Sequence, residues 1–363
     1  MMQGSGGIGS GTSDTNGGNG GAGAGGAKGP IIRDILTRKR MMVFAGTSHP
    51  ALAEDIAEHL EISLSPVEIR RFASGEIYCR YDDSVRGADA FVIQTHTTPI
   101  NEAIFEQLVM IDALKRASAK RITAVIPYYG YARQDHKAMS REPISAKLVA
   151  DLLTVAGADR VVSVDLHSGQ IQGFFDFPVD HLTGLPVLTD HIVEHFSQSG
   201  DLVVCAPDAG RVRVAQRLRE KLNTGPSGLA FLYKRRSYKV AHLIEEVVVV
   251  GDVDGRRCIL IDDMVDTAGT MVEGAKALAA AGASEIYAAA THPVLSGKAV
   301  QRIAESPIRE LIVTDTLPIA EDKTQVLGER LKVVSIAAIV ASALNAVFED
   351  ESVSEIFHGE NQP

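Results

Sequence analysis

The chain has 363 residues, 45% of them hydrophobic and 23% charged, with a formal net charge of −10. That balance belongs to a soluble globular protein with room for two domains, not to a disordered chain, and it argues against a surface built mainly for nucleic acid. Three scattered cysteines, Cys79, Cys205 and Cys258, form no CxxC pair, which excludes a disulfide framework or Cys-based zinc site and fits a reducing compartment.

Residues 1–30 hold 13 of the 33 glycines and almost no large apolar side chain. Such a segment cannot bury enough surface to offset its ordering entropy, so a disordered tail over 1–38 is expected. It has neither the apolar core of a secretion signal nor the Arg-rich pattern of a transit peptide, which points to a cytoplasmic protein. The weakly polar run VVSIAAIVASALNAV at 333–347 is shorter than the ~20 residues of a membrane span, so no membrane partner is expected.

From residue 41 short apolar runs alternate with helical periodicity, the pattern of α/β layering. MMVFAG (41–46) reads as a buried strand and TSHPALAEDIAEHL as a loop running into a helix; DLVVCAP (201–207) and DAGRVRVAQRLREKL repeat that order. Residues 90–130 read strand, loop, long helix, tight A-S-A turn and strand, and 258–294 read the same way with A-G-A-S at the turn. Two matched pairs in one order, each roughly 160 residues apart, indicate a tandem duplication of one α/β domain. Loops after parallel strands collect ligands, and of the two equivalent loops, QTHTTP and DDMVDTAGT, only the second has acidic and small residues.

FASGEI (72–77) reads only as a turn, and four other regions are weighed for chemistry. YYGYARQDHKAMSREPISAK (128–147) sets Arg133, Lys137, Arg141 and Lys147 around Gln134 and Asp135 after an apolar strand, as a binding loop would. His167 and Asp208 each follow a predicted strand and could share Mg²⁺, although imidazole is an unusual ligand for that ion. LYKRRSYKVAH (232–242) concentrates Lys234, Arg235, Arg236 and Lys239; it is either a solvated loop or a cationic one that closes over a polyphosphate. In ILIDDMVDTAGT (259–270), Thr267, Ala268, Gly269 and Thr270 suit a phosphate at a helix N-terminus. Asp262, Asp263 and Asp266 suit sugar hydroxyls or a divalent metal. A pentose 5-phosphate satisfies both; the plainer alternative is an acidic loop with Asp266 as helix cap. There is no GxxxxGK[ST], HExxH or GxSxG, so no P-loop, zincin or hydrolase elbow is expected.

From about residue 41 to 357 these segments, with SVRG, SREPISAKL, DLHSGQIQGFFDFPVDHL, THPVLSG and ESVSEIF, resemble the ribose-phosphate diphosphokinase family. The resemblance implies two tandem phosphoribosyltransferase-like domains, each a mainly parallel sheet flanked by helices: 39–186 on the ATP side and 187–340 with the ribose 5-phosphate loop. It implies a terminal segment, 341–357, packing back on the first domain. It implies pyrophosphoryl transfer from Mg-ATP to ribose 5-phosphate. Asp262, Asp263, Asp266, Thr267, Ala268, Gly269 and Thr270 would hold the sugar phosphate. Ser74, Gly75, Glu76, Arg133 and Gln134 would hold ATP, with His167 and Asp208 at Mg²⁺ and Lys234 and Arg236 as catalytic cations. It further implies a homohexamer regulated by ADP and phosphate through Ser84 and Arg86. The chain departs from the family at Ser74, where an acid or amide is usual, at Gly210-Arg211, where two glycines are common, and in the short SYKVAH. Two other readings remain: a transferase that consumes phosphoribosyl pyrophosphate, and a non-catalytic subunit associated with a synthetase.

Overall fold

The computed structural model describes residues 39–196, 202–222, 228–236 and 244–356, with backbone alone for 234–236 and 244–246. The expected tail and the SYKVAH stretch from 237 onward lie outside the described residues.

Strand β1 (Met41–Ala45) leads to helix α1 (Pro50–His59), with Pro50 at the first turn, where a missing N–H costs nothing. Strands β2 (Val67–Arg71) and β3 (Ile77–Tyr81) form a separate antiparallel ribbon. There follow β4 (Asp89–Ile93), α2 (Ile100–Arg116), β5 (Arg121–Ile126), α3 (Ser145–Ala156), β6 (Arg160–Val164) and β7 (Val179–Leu182). The sheet runs β1-β4-β5-β6-β7 and is parallel throughout. β4 is buried along its whole length, as strands covered on both faces must be.

The second half holds α4 (Leu185–Phe196), β8 (Leu202–Ala206), α5 (Val212–Lys221), β9 (Gly228–Arg236), β10 (Ile244–Val250), β11 (Arg257–Met264) and α6 (Gly269–Ala280). It continues through β12 (Glu285–His292), α7 (Ala299–Ala304), β13 (Ile308–Thr314), α8 (Glu321–Leu327) and β14 (Leu331–Val334), and the chain ends in α9 (Ala337–Glu349) and α10 (Val353–Ile356). Its sheet runs β10-β9-β8-β11-β12-β13-β14, parallel except for the β9–β10 hairpin. The order β8-β11-β12-β13-β14 repeats β1-β4-β5-β6-β7, and a hairpin is inserted at the same point each time. The repeat read in the sequence is thus a repeated topology, and the α/β class holds.

The helices that end each repeat are exchanged. Helix α4 follows β7 yet packs Leu188, Ile192 and Phe196 against Val204, Ile259 and Tyr287 of the second sheet. Helix α9 follows β14 yet packs Val340, Ala341 and Leu344 against Leu52 and Ile56 of α1 and Val43 and Phe91 of the first sheet. Each sheet is therefore roofed by the helix that follows the last strand of the other sheet.

The halves meet through the carboxyl ends of their strands. Thr95 Oγ1 donates to Thr316 O at 2.7 Å, His49 Nε2 to Asp315 O at 2.9 Å and His292 Nε2 to Asp165 O at 3.1 Å. Since ligands of parallel sheets gather at that end, both ligand ends face one seam.

Two histidines near the seam are held neutral. Burial pushes His49 below its ordinary value and takes His96 down to about 4. His96 donates from Nε2 to Gln107 Oε1 and accepts Gly130 N–H at Nδ1, both at 2.9 Å. Because the folded value lies below the unfolded 6.5, the unfolded chain binds more protons between the two. Stability is then full above about pH 6.5 and is lost as pH falls toward 4, by about 3 kcal/mol for His96 alone. Thermal melts at pH 7 and pH 5 should show the midpoint falling at the lower pH; an unchanged midpoint would mean that these rings are not buried as neutral bases.

Candidate active site

β11 carries Asp262 and Asp263 at its carboxyl end, and a short loop brings the chain to Ala268, at φ 60, and into α6 at Gly269. The first N–H groups of a helix have no intrahelical acceptor and favour an anion. Here the first turn of α6 lines a cavity of about 190 Å³. Arg133 and His167 reach that cavity from the first half; Asp208, Arg211, Asp262, Asp263 and Asp266 line it from the second.

The acids are organised by cations from both halves. His167 Nδ1 lies 2.6 Å from Asp263 Oδ2, and Arg211 Nη2 lies 2.7 Å from the same oxygen. Arg211 Nε reaches Asp262 Oδ1 at 3.2 Å. Burial raises the Asp263 carboxyl, but the His167 hydrogen bond and the Arg211 charge outweigh it and hold the group below the usual carboxylate range. Burial, then the charge of Asp263, push Asp262 up to about 8. Asp266 is clamped from both sides: Arg133 Nη1 lies 2.6 Å from Oδ2, and Ser296 Oγ donates to Oδ1. It does not cap α6, whose N-cap position is Ala268.

The structure brings together Arg133, His167, Asp208, Asp262, Asp263, Asp266, Thr267, Ala268, Gly269 and Thr270 around one cavity. His167 and Asp208, expected to share a metal, line the same cavity; His167 is bonded to Asp263, and Asp208 Oδ1 accepts Gly210 N–H at 2.9 Å. Gln134 is turned away: its Oε1 accepts from Ser145 Oγ at 2.7 Å, beside the start of α3. Ser74, Gly75 and Glu76 form the exposed tip of the β2–β3 hairpin, with Ser74 Oγ bonded to Glu76, and none of the three lines the cavity. Ser84 and Arg86 border a different hollow, of about 400 Å³, with Cys79 and Tyr81. Lys234 and Arg236 close β9, opposite Val247 and Ile244; their side chains lie outside the described part of the structure. Sequence reasoning assigned no role to Arg211 or Ser296. The one signal for Arg211 was a cation standing where a glycine is common.

The donor set fits Mg²⁺. Four carboxylates and an imidazole border the cavity, and among the described residues no group of three or more His, Cys, Asp or Glu side chains is placed to hold a metal ion by itself. An open set of hard oxygens suits an ion that keeps its waters and takes phosphate oxygens as ligands. Among the described residues, no helix is long and apolar enough to cross a membrane.

The chain is similar to known proteins along most of its length. Residues 41–157 match the family model for the N-terminal domain of ribose phosphate pyrophosphokinase, and residues 239–358 match the phosphoribosyl synthetase-associated domain. The chain is 50% identical over 323 residues to the ribose-phosphate pyrophosphokinase of Corynebacterium glutamicum, across 89% of this chain and 97% of that one. It is 52% identical to that of Mycobacterium bovis, with the same coverage. The crystal structure of phosphoribosylpyrophosphate synthetase from Mycobacterium smegmatis superposes with a TM-score of 0.80 at 53% identity, covering 86% of this chain and 100% of the other. With half of all positions shared along nearly the whole length of such relatives, the chain belongs to the ribose-phosphate pyrophosphokinase family.

Proposed function

We infer that the chain transfers the pyrophosphoryl group of Mg-ATP to the C1 hydroxyl of ribose 5-phosphate, forming 5-phosphoribosyl 1-diphosphate and AMP. The observation that carries this reading is the pairing, in one cavity, of buried acids at the end of β11 with the free N–H groups opening α6. The 5-phosphate sits at the helix N-terminus against Thr267, Ala268, Gly269 and Thr270, and Asp262, Asp263 and Asp266 receive the sugar hydroxyls. A phosphate in place of the sugar hydroxyls would meet carboxylates, so the acids orient the ligand as well as bind it.

The C1 oxygen attacks the β-phosphorus, the bond from that phosphorus to the α,β-bridging oxygen breaks, AMP leaves with the electron pair, and the hydroxyl proton passes to solvent. Lys234 and Arg236 neutralise charge on the β-phosphate and the bridging oxygen. His167 and Asp208 are the residues that would hold Mg²⁺, which when bound neutralises phosphate charge. Arg133 and Gln134 serve ATP. In this reading residues 39–186 form the ATP side and 187–340 the sugar side. The tip Ser74, Gly75 and Glu76 lies apart from its own chain's cavity, which supports an oligomer, a homohexamer in this reading, in which the hairpin serves a neighbouring copy. ADP and phosphate act at Ser84 and Arg86. A cytoplasmic setting accords with three free cysteines.

The test is AMP release from Mg-ATP with and without ribose 5-phosphate, with ³¹P NMR of the product. AMP formed only with the sugar, together with a new diphosphate ester, is expected. Turnover that needs a nucleobase instead, or ligand binding without turnover, would overturn it.

A further inference from the structure

The segment THPVLSG, residues 291–297, contributes nothing to the reaction as described above, yet it is bonded to both sides of the cavity. Toward the sugar loop it makes a short ladder: Val265 N donates to His292 O at 2.9 Å, Leu295 N to Val265 O at 2.8 Å and Ser296 N to Asp266 O at 2.9 Å. Ser296 Oγ adds its bond to the Asp266 carboxylate. Toward the first half it holds Asp165, two residues before His167. Thr291 Oγ1 donates to Asp165 Oδ2, which also accepts Gly184 N–H at 2.9 Å. The wholly buried His292 donates from Nε2 to Asp165 O at 3.1 Å. A carbonyl can only accept, so the tautomer is set, and Nδ1 is left to accept from Thr316 Oγ1 at 2.9 Å.

Both contact points are strained. Asp165 sits at φ 37 and Leu295 at φ 46, a region that costs a non-glycine residue of order 1–3 kcal/mol and persists only where the surroundings over-determine it. At Asp165 that surrounding is the bonds to Thr291, His292 and Gly184 with its own N–H to Leu182 O at 2.9 Å, and the turn they hold aims His167 across the seam at Asp263.

We propose that His292 is a positioning residue for the reaction, holding the Asp165 turn so that His167 meets Asp263, while Ser296 holds Asp266 on the other side of the cavity. One segment thus sets the separation of two groups that come from different halves of the chain. The assignment rests on the synthetase reading for its kinetic consequences, but its spectroscopic consequence does not depend on turnover.

The test uses the full chain with ¹⁵N-labelled histidine. A proton in the 2.6 Å bond between His167 Nδ1 and Asp263 gives a downfield ¹H resonance, assigned by its loss in His167→Asn. In His292→Leu that resonance should vanish or move upfield, and kcat should fall about 10- to 100-fold, as for loss of a group that orients a metal ligand. In His292→Gln the amide N–H replaces the Nε2 donor, so resonance and kcat should return to within about threefold of the parent. Ser296→Ala should raise KM for ribose 5-phosphate about tenfold, the effect of losing one hydrogen bond to a charged group, and leave the His167 resonance in place. An unchanged resonance in His292→Leu, or a folded His292→Gln that loses it, would overturn the proposal. If His292→Leu does not fold, His292→Gln decides it. A parent protein that makes no AMP would sink the synthetase reading while the comparison of resonances still stood.

Discussion

Asp263→Ala is expected to lower kcat/KM by about 10²- to 10³-fold and to destabilise the fold by about 3–5 kcal/mol. Both effects have one source. The Asp263 side chain is 6% exposed and receives His167 at 2.6 Å and Arg211 at 2.7 Å; the Arg211 side chain is itself only 18% exposed. Removing the carboxylate leaves a guanidinium in a low-dielectric site beside His167, with Asp262, the acid whose charge burial already opposes, as its nearest carboxylate. It also frees His167 to leave the cavity wall. Asp263→Asn separates the two effects: it keeps the volume and one acceptor, so the loss of stability should be smaller while the loss of rate remains. Urea unfolding read beside AMP release distinguishes them. An Asp263→Asn enzyme with normal kcat/KM would remove this carboxylate from the chemistry and leave it a structural ion pair.

Lys234→Ala should lower kcat by about 10³-fold with a much smaller change in KM, because a cation that meets charge only as it develops acts on the transition state. The contrast with Asp263 is instructive. Asp263 belongs to a preformed array, whereas Lys234 stands at the end of β9 in a hairpin that occupies, in the second half, the place β2–β3 holds in the first. The measurement is steady-state kinetics on ribose 5-phosphate and Mg-ATP, with the unfolding midpoint as control. Near-normal turnover would exclude Lys234 from the mechanism.

Much of this architecture is legible in the residues because it is local. Apolar runs of five or six residues ending in polar loops mark β1, β4, β5, β8 and β11, and the acids of 262–266 followed by Thr-Ala-Gly-Thr mark the strand-to-helix turn that lines the cavity. What was not legible depends on where distant segments meet. Helices α4 and α9 have the apolar stripe of any surface helix, and nothing in that periodicity tells which sheet they cover. His167 and Asp208 both follow strands, which the sequence shows; the strained turn at Asp165 that brings His167 to Asp263 does not show there. Arg211 follows Asp208 by three residues and reads as the start of a helix, but its guanidinium reaches back to the end of β11. Ser296, 30 residues from its partner Asp266, has no sequence signal beyond its place in THPVLSG.

The exchange of α4 and α9 has a consequence for how the chain can be cut and misassembled. A break between α4 and β8 would separate two pieces, each with one bare apolar face and each carrying the other's missing cover. Neither piece has a complete core, so autonomous folding would be poor, while an equimolar mixture has every contact needed for fragment complementation. The same geometry exposes the intact chain to error at high concentration. An α9 that docks on a second molecule's first sheet makes the same contacts as at home, so domain-swapped oligomers compete with correct closure through concentration alone.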